Sequence, residues 1–419
     1  MKYVIVGACI AAVGAMEGIR AVDPRGEITV IDGEKRGAYT RPLISYLLVE
    51  PERFSNIDYR SPAFFEEHNV RLLPARAERI DRQQKQLLLD SGETIDYDRL
   101  LLATGARPWI PAIPGVEQDW VKSFYTIADA ESINKLVDAD KEMVIIGSGL
   151  IGMKAAEASL KQGLRVSLVE KEETIMPRIM TAEAAFIMRK HLEDCGLNII
   201  TAEEVVAFLP EHMVKLRSGE HLRADIVIMA AGTRPQTELA TACGLIVHKG
   251  IEVDAQFRTS DPDIFAAGDV IETLNLCSGQ TELMALLPHA HREGLLAGAN
   301  MAGEENHYQG GIPLNSVSLM GWHICSAGEA GKEADKILRW QNERQYLELI
   351  FEKGYLSKYI AINLPEISGP LTTMLEKKLM IPQSEWEELM SSGPSLSIIP
   401  ATYWQEIRRL EGYGNTECC

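Results

Sequence analysis

Apolar and polar positions follow the same order twice along this chain. Tyr3–Val6 is an apolar run. Gly7-Ala8-Cys9-Ile10-Ala11-Ala12 follows, then a helically spaced segment, then a second apolar run, Ile28–Ile31, ending on Asp32. The order returns at Met143–Ile146, Gly147-Ser148-Gly149-Leu150-Ile151-Gly152, a helical segment, and Val166–Val169 ending on Glu170. A continuous apolar run suits a strand buried on both faces of a parallel sheet, and a glycine turn suits the entry to a helix. Each stretch therefore predicts a βαβ unit, and the chain as a whole an α/β fold.

Between these units, Arg71–Ala77 and Gln86–Leu89 read as short antiparallel strands, with Ser91-Gly92 as a turn. A buried strand then delivers Ala103-Thr104-Gly105-Ala106-Arg107-Pro108, and a proline-rich connector, Pro108 to Gly115, marks a domain boundary. The second unit closes on Ala231-Gly232-Thr233-Arg234-Pro235, an echo of that ending and a weak internal repeat. A short apolar strand leads to Gly268-Asp269. Leu283–Ala302 is expected to be a helix with Pro288 near its start and Gly303 past its end. His289 and His291 lie two apart, on different helix faces, and read as a surface or packing pair rather than metal ligands. From Gly310 the pattern turns to strands, at Ser316–Leu319, His323–Ser326, Gln345–Phe351 and Ser357–Asn363. Helices at Thr372–Lys378 and Trp386–Met390 follow, then a polar tail, Gly393–Cys419. That is the pattern of a small α+β domain.

The chemistry lies in the glycines. In the Met143–Glu170 stretch, Gly147 allows the tight turn and Gly149 lets the backbone approach a pyrophosphate. Gly152 lets helix and strand pack closely, and Glu170 stands where an acid can accept from a ribose 2′-hydroxyl. The first unit departs from this fingerprint. Ala12 is tolerated at the third glycine position, but Cys9 stands at the second, where its Cβ and sulfur crowd a pyrophosphate. Either the turn is wider and still binds, or the cofactor is held weakly or lost. The length, 419 residues, suits two or three domains. A net charge of −18 argues against nucleic acid and anionic membrane surfaces. None of the seven cysteines has C-x-x-C or zinc spacing, and no apolar run is long enough to span a bilayer. A cytoplasmic protein with reduced thiols is expected, and no metal site.

Gly7–Ala12, Ala103-Thr104-Gly105, Gly147–Gly152, Ala231-Gly232 and Gly268-Asp269, in this order and spacing, resemble the FAD- and NAD(P)-dependent pyridine nucleotide–disulfide oxidoreductase superfamily. The resemblance implies two Rossmann-like, three-layer ββα dinucleotide-binding domains plus a small α+β C-terminal interface domain. Residues 1–112 and 241–309 would bind FAD, 113–240 would bind NAD(H), and 310–419 would form the interface domain, with a homodimer as one outcome. Asp269 would bind the FAD ribitol, Asp32 or Glu34 the adenosine ribose, and Ala77 the adenine through its backbone. Arg41 and Pro42 would line the flavin. The helix beginning near Pro288 would point its N-terminus at the flavin and favour the anion formed on reduction. Gly7, Ala8, Cys9, Ala11, Ala12, Ala103, Thr104, Gly105 and Arg107 complete the FAD set. Gly147, Gly149, Leu150, Ile151, Gly152, Glu170 and Gly232 form the NAD set.

Within that superfamily, disulfide reductases carry a redox cysteine in the loop after the second strand. Here that loop, Tyr39-Thr40-Arg41-Pro42-Leu43-Ile44-Ser45-Tyr46, has none. The chain thus resembles the rubredoxin and ferredoxin reductases and the flavin portion of NADH-dependent nitrite reductases. That implies hydride transfer from NADH to FAD, then single electrons to a rubredoxin- or ferredoxin-like carrier. NADH is expected over NADPH because Glu170 faces the extra phosphate, although Lys171 beside it softens the repulsion. Members of this branch often pair a lysine after the loop serine with a glutamate on the NAD-motif helix. Here those positions hold Tyr46 and Lys154, so Lys154 is the expected catalytic cation beside the flavin. An acidic carrier would need a basic face, for which Lys332, Lys336, Arg339 and Arg344 are the candidates. Direct reduction of oxygen, and a flavoprotein subunit or sensor with little turnover of its own, are the alternatives.

Overall fold

A computed structural model of the protein describes residues 1–52, 57–61, 63–331, 334–380, 386–387, 390–391, 393–394 and 403–405. The chain divides into two compact units. One comprises 1–173, 196–274 and 281–310. The other comprises 174–195, 275–280 and the described residues from 311 onward.

The first unit contains two five-stranded parallel sheets. One runs in the order Ile264–Ala266, Arg99–Leu102, Lys2–Val6, Glu27–Ile31, Val70–Leu73. The other runs Asn198–Ile200, Arg165–Val169, Glu142–Ile146, Ile226–Met229, Val121–Ser123. In both, the strand that enters the glycine turn is central. Its side chains are buried on both faces, which is why Val4, Ile5, Val144 and Ile145 read as unbroken apolar runs. Each parallel sheet is accompanied by a three-stranded antiparallel one. The first is Ala77–Asp81, Gln86–Leu89, Thr94–Asp96, and the second is Val205–Leu209, Met213–Leu216, His221–Arg223. The internal echo in the sequence is thus a repeat of architecture. The two echoing motifs also meet, because Ala106–Pro108 and Thr233–Pro235 pair antiparallel, with Arg107 opposite Arg234.

Two sequence expectations change in this unit. The run expected as one strand over Arg71–Ala77 splits in two. Val70–Leu73 joins the parallel sheet beside Glu27–Ile31, whereas Ala77–Asp81 starts the antiparallel sheet opposite Gln86–Leu89. Pro74 falls at the break, where a missing N–H ends the ladder. The helix expected from Leu283 starts at Leu287, because Leu286 is extended (φ −130°, ψ 131°) and Pro288 occupies the first turn.

The second unit is built on a five-stranded antiparallel sheet in the order Leu314–Leu319, Trp322–Gly328, Tyr355–Ile362, Tyr346–Glu352, Lys336–Gln341. One face packs Leu347, Leu349, Tyr359 and Ala361 against Ile367, Leu371 and Met374 of the helix Pro365–Lys377. Sequence reading missed the edge strand Lys336–Gln341, whose charged and apolar residues alternate between half-buried and exposed positions. It also placed the start of the Pro365–Lys377 helix seven residues late, at Thr372, because Pro370 lies inside it. The expected helix Trp386–Met390 lies partly outside the described residues, and the tail with Cys418 and Cys419 almost wholly so.

Candidate functional site

Gly7 ends the first central strand at φ +108°, and a Cβ there would stand 2.2 Å from the Ala103 carbonyl oxygen. Gly147 repeats this at φ +102°, 2.4 Å from the Ala230 oxygen. Only glycine satisfies both the dihedral and the approach. Each turn opens a helix, Ile10–Val22 with Cys9 at its N-cap and Leu150–Lys161 with Gly149 at its N-cap. Neither cap residue supplies a side-chain hydrogen bond. The first-turn amides of both helices are therefore left for an anionic ligand.

The third fingerprint position separates the two turns. A Cβ at Gly152 would lie 2.1 Å from the Gly147 oxygen. Ala12 carries such a Cβ and is fully buried, so the first turn is the roomier one. Its helix is fixed from behind by the helix Leu287–Met301. Cβ atoms at Gly14 and Gly18 would meet the carbonyls of His291 and Leu295 at 2.2 and 2.1 Å. Those at Gly294 and Gly298 would meet the carbonyls of Ala11 and Ala15 at 2.0 and 2.2 Å.

Around the first turn the fold gathers residues far apart in sequence. A Cβ at Gly268 (φ +83°) would lie 3.0 Å from the Ala11 Cβ, so the Gly268–Asp269 turn sits on the helix start. Arg41 and Pro42 form a short 3-10 turn. The Arg41 guanidinium lies between the rings of Tyr39 and Tyr125, 4.9 and 4.6 Å from their centroids. It donates to the Tyr39 hydroxyl (2.7 Å), the Tyr125 carbonyl (3.0 Å) and Glu34 Oε1 (2.7 Å), while the Tyr39 hydroxyl donates to Glu34 Oε2 (2.6 Å). The Cys9 sulfur is 4.0 Å from Arg41 Nη2. Burial raises the Cys9 thiol above its ordinary pKa despite that cation, which keeps the thiol protonated and poorly nucleophilic.

Hydrogen-bond capacity distinguishes the two acids after the second strand. Asp32 is 3% exposed and accepts from the amides of Glu34, Lys35, Arg36 and Gly37, so all four lone-pair sites are filled by its own loop. Glu34 has accepted one bond on each oxygen and retains capacity for a ligand. Asp269 makes no side-chain hydrogen bond among the described residues. Burial raises its pKa, although the charge of Arg41 pulls the other way. A carboxylate with unused lone pairs, an open helix start and a close-approach glycine fit a ligand carrying a polyol and a pyrophosphate, as FAD does.

At the second turn, Glu170 is 7% exposed. Its Oε2 accepts the amide and hydroxyl of Ser148 at 2.8 and 2.6 Å, and its Oε1 accepts the Glu172 amide at 3.0 Å. One lone pair on Oε1 remains for a ribose hydroxyl. Leu150 and Ile151 begin the helix, while Gly232 (φ +114°) accepts the Trp109 amide through its carbonyl. Thr104 and Gly105 serve the link between modules: the Thr104 hydroxyl donates to the Gln236 carbonyl, and Gln236 N–H donates to the Gly105 carbonyl. Arg107 is exposed and ion-paired to Glu238. Ala77 pairs with Leu89 in the antiparallel sheet, and Pro288 lies in the first turn of its helix. Lys154 stands over the Tyr46 ring, 5.2 Å from its centroid, and is ion-paired to Glu157. Glu157 is buried and also takes Lys161 at 3.0 Å.

Sequence reading did not find Tyr39, Tyr125, Ser148, Gln236 or Glu157. Tyr125 reaches Arg41 across 84 residues, and no local signal announces it. Of the expected basic face, Lys336 pairs with Glu387, and Arg339 with Glu348 and Glu183; Lys332 lies outside the described residues. Among the described residues no group of three or more His, Cys, Asp or Glu could hold a metal, and no helix is long and apolar enough to cross a membrane.

Two glycine-turn cradles on paired parallel sheets, one with an unused carboxylate beside it, define a two-dinucleotide flavoprotein. The chain belongs to the pyridine nucleotide-disulphide oxidoreductase family, whose model matches residues 1–294. It is 31% identical over 374 residues to the NADH-dependent phenylglyoxylate dehydrogenase subunit epsilon of Aromatoleum evansii, covering 86% of this chain and 88% of that one. It is 29% identical over 379 residues to the rubredoxin-NAD(+) reductase of Pseudomonas putida, covering 88% and 98%. A ferredoxin reductase from Rhodopseudomonas palustris superposes with a TM-score of 0.87 at 26% identity, covering 95% and 98%. The protein is an NADH-dependent flavoprotein oxidoreductase that binds FAD and NAD(H).

Proposed function

We propose that this enzyme passes electrons from NADH, through FAD, to a one-electron protein carrier of the rubredoxin or ferredoxin kind. The observation that carries this reading is the flavin-side loop. Tyr39–Tyr46 contains no thiol, and the nearby Cys9 is kept protonated by burial. Thiol–disulfide chemistry therefore has no nucleophile there. FAD, when bound, accepts a hydride and can release electrons singly.

The chain's own residues bind and orient. Asp269 accepts from the ribitol and Glu34, with its spare capacity, from the adenosine ribose; Asp32 holds the loop that presents Glu34. Arg41, pinned by Tyr39, Tyr125 and Glu34, sets a fixed positive charge at the cradle, and Pro42 lies beside it. The N-terminus of Leu287–Met301 supplies a partial positive charge. Glu170 accepts from the nicotinamide-side coenzyme's adenosine ribose and disfavours a 2′-phosphate. Lys154 provides the second cation, with its charge partly balanced by Glu157. In this reading residues 1–112 and 241–309 hold FAD, 113–240 hold NAD(H), and 310–419 form the interface domain.

A second reading has specific support. Lys336 and Arg339 spend their charges on internal partners, which leaves less basic surface for an acidic carrier than the sequence suggested. Delivery to a companion subunit fits that neutralisation, and one relative is by name a subunit. Anaerobic NADH bleaching followed by a panel of acceptors tests these readings. Rapid reoxidation by rubredoxin or ferredoxin supports the first, slow reoxidation by every small carrier supports the second, and fast reoxidation by air alone identifies an oxidase.

A further inference from the structure

Glu293 lies in the middle of the helix Leu287–Met301, is 2% exposed, and does not belong to any motif read from the sequence. Its Oε2 accepts the Gly268 amide at 3.0 Å and its Oε1 the Thr273 hydroxyl at 3.4 Å. It therefore holds both ends of the turn that carries Asp269. We propose that Glu293 is a positioning residue for Asp269, and that its proton couples FAD affinity to pH. This rests on the reading that Asp269 binds FAD.

Few groups can balance a charge on Glu293. Asp269 faces it from the turn after the Ile264–Ala266 strand, with Glu272 next to Thr273 and Glu282 opposite Thr273 in register. Where the helix packs on Ile10–Val22, its glycines meet Ala11 and Ala15, which are uncharged. Glu17 of that helix is taken by Arg60 and by His291. On Glu293's own helix the ionisable neighbours are His289, His291 and Arg292. No cation is paired with Glu293 among the described residues. Burial first, and Asp269 second, push its carboxyl up to about 7, whereas the Gly268 amide pulls it down.

The sign follows from linkage. A carboxyl raised in the folded state lends stability that is complete below the unfolded value and is lost as pH rises through about 7. Losing the Glu293 proton, as pH rises through about 7, adds one negative charge to the Glu293–Asp269 pair, beside a cofactor that is itself an anion. Binding FAD must then raise Glu293 further, so affinity falls as pH rises.

The test is FAD release from the holoenzyme on dilution, read as recovered flavin fluorescence across the neutral range. Wild-type protein should loosen FAD by about three- to tenfold between about pH 6 and about pH 8. Glu293→Gln, which keeps an acceptor for Gly268 N–H but cannot ionise, should give a flat profile. Asp269→Asn should loosen FAD at every pH. A flat wild-type profile, or a Glu293→Gln slope equal to wild type, overturns the proposal; the wild-type profile requires no variant to fold. If Asp269→Asn leaves FAD affinity unchanged, the assignment of the turn fails, and the proposal with it. His291→Gln should leave the wild-type slope in place, and a slope abolished there would move the switch to the Glu17–His291 pair.

Discussion

Glu170→Gln separates what Glu170 does for the fold from what it does for the coenzyme. The carboxylate is 7% exposed and holds three hydrogen bonds, two from Ser148 and one from Glu172. An amide can keep its oxygen on Ser148, but then its NH2 faces the Glu172 amide, donor against donor. Losing one charge-assisted bond and weakening two should cost the module about 1–3 kcal/mol. The coenzyme terms run the other way for NADPH. A carboxylate ~5 Å from a doubly charged 2′-phosphate repels it by about 2 kcal/mol, close to 30-fold. For NADH, a weaker acceptor for the ribose hydroxyl costs about 1 kcal/mol, or roughly fivefold. The ratio of kcat/KM for NADPH to that for NADH should therefore rise by about a hundredfold. Steady-state kinetics with both coenzymes and a saturating artificial acceptor measure it, with thermal melting alongside. A ratio within about twofold of wild type, in a protein that melts normally, would show that Glu170 only holds the turn.

Three other substitutions probe the cradle. Gly294→Ala puts a Cβ 2.0 Å from the Ala11 carbonyl, so the two helices must separate. It should cost about 2–3 kcal/mol in denaturant unfolding and reduce FAD content, whereas Gly369→Ala, with nothing within 4 Å, should stay within about 1 kcal/mol. Cys9→Gly restores the fingerprint, and equilibrium flavin titration should show binding tighter by about threefold or more; unchanged binding would mean the wider turn already accommodates the thiol. Lys154→Ala leaves Glu157 with Lys161 as its cation, so the fold should survive. Stopped-flow reduction by NADH should slow about tenfold, and an unchanged rate and flavin potential would confine Lys154 to linking the two modules through Tyr46.

Much of the architecture was legible in the sequence because its causes are local. A strand buried on both faces needs an unbroken apolar run, and a turn where a Cβ would stand 2.2 or 2.4 Å from a carbonyl oxygen needs glycine, so Gly7 and Gly147 announce themselves. The echo of Ala-Thr-Gly-x-Arg-Pro in Ala-Gly-Thr-Arg-Pro likewise pointed to two related modules, although the antiparallel pairing of the two endings was visible only in three dimensions. What sequence could not apportion was hydrogen-bond capacity and charge. Asp32 and Glu34 are equivalent candidates by spacing, but four loop amides saturate Asp32 and leave Glu34 with room. By sequence Lys154 is a cation expected beside the flavin, and the fold adds Glu157, one helical turn on, as its ion-pair partner. Arg41 gains its fixed orientation from Tyr125, 84 residues away, and Glu293 reaches Gly268 across 25. Whether a carboxylate accepts from its own loop, a lysine or a ligand depends on which donors converge on it, and that convergence is a property of the tertiary fold alone.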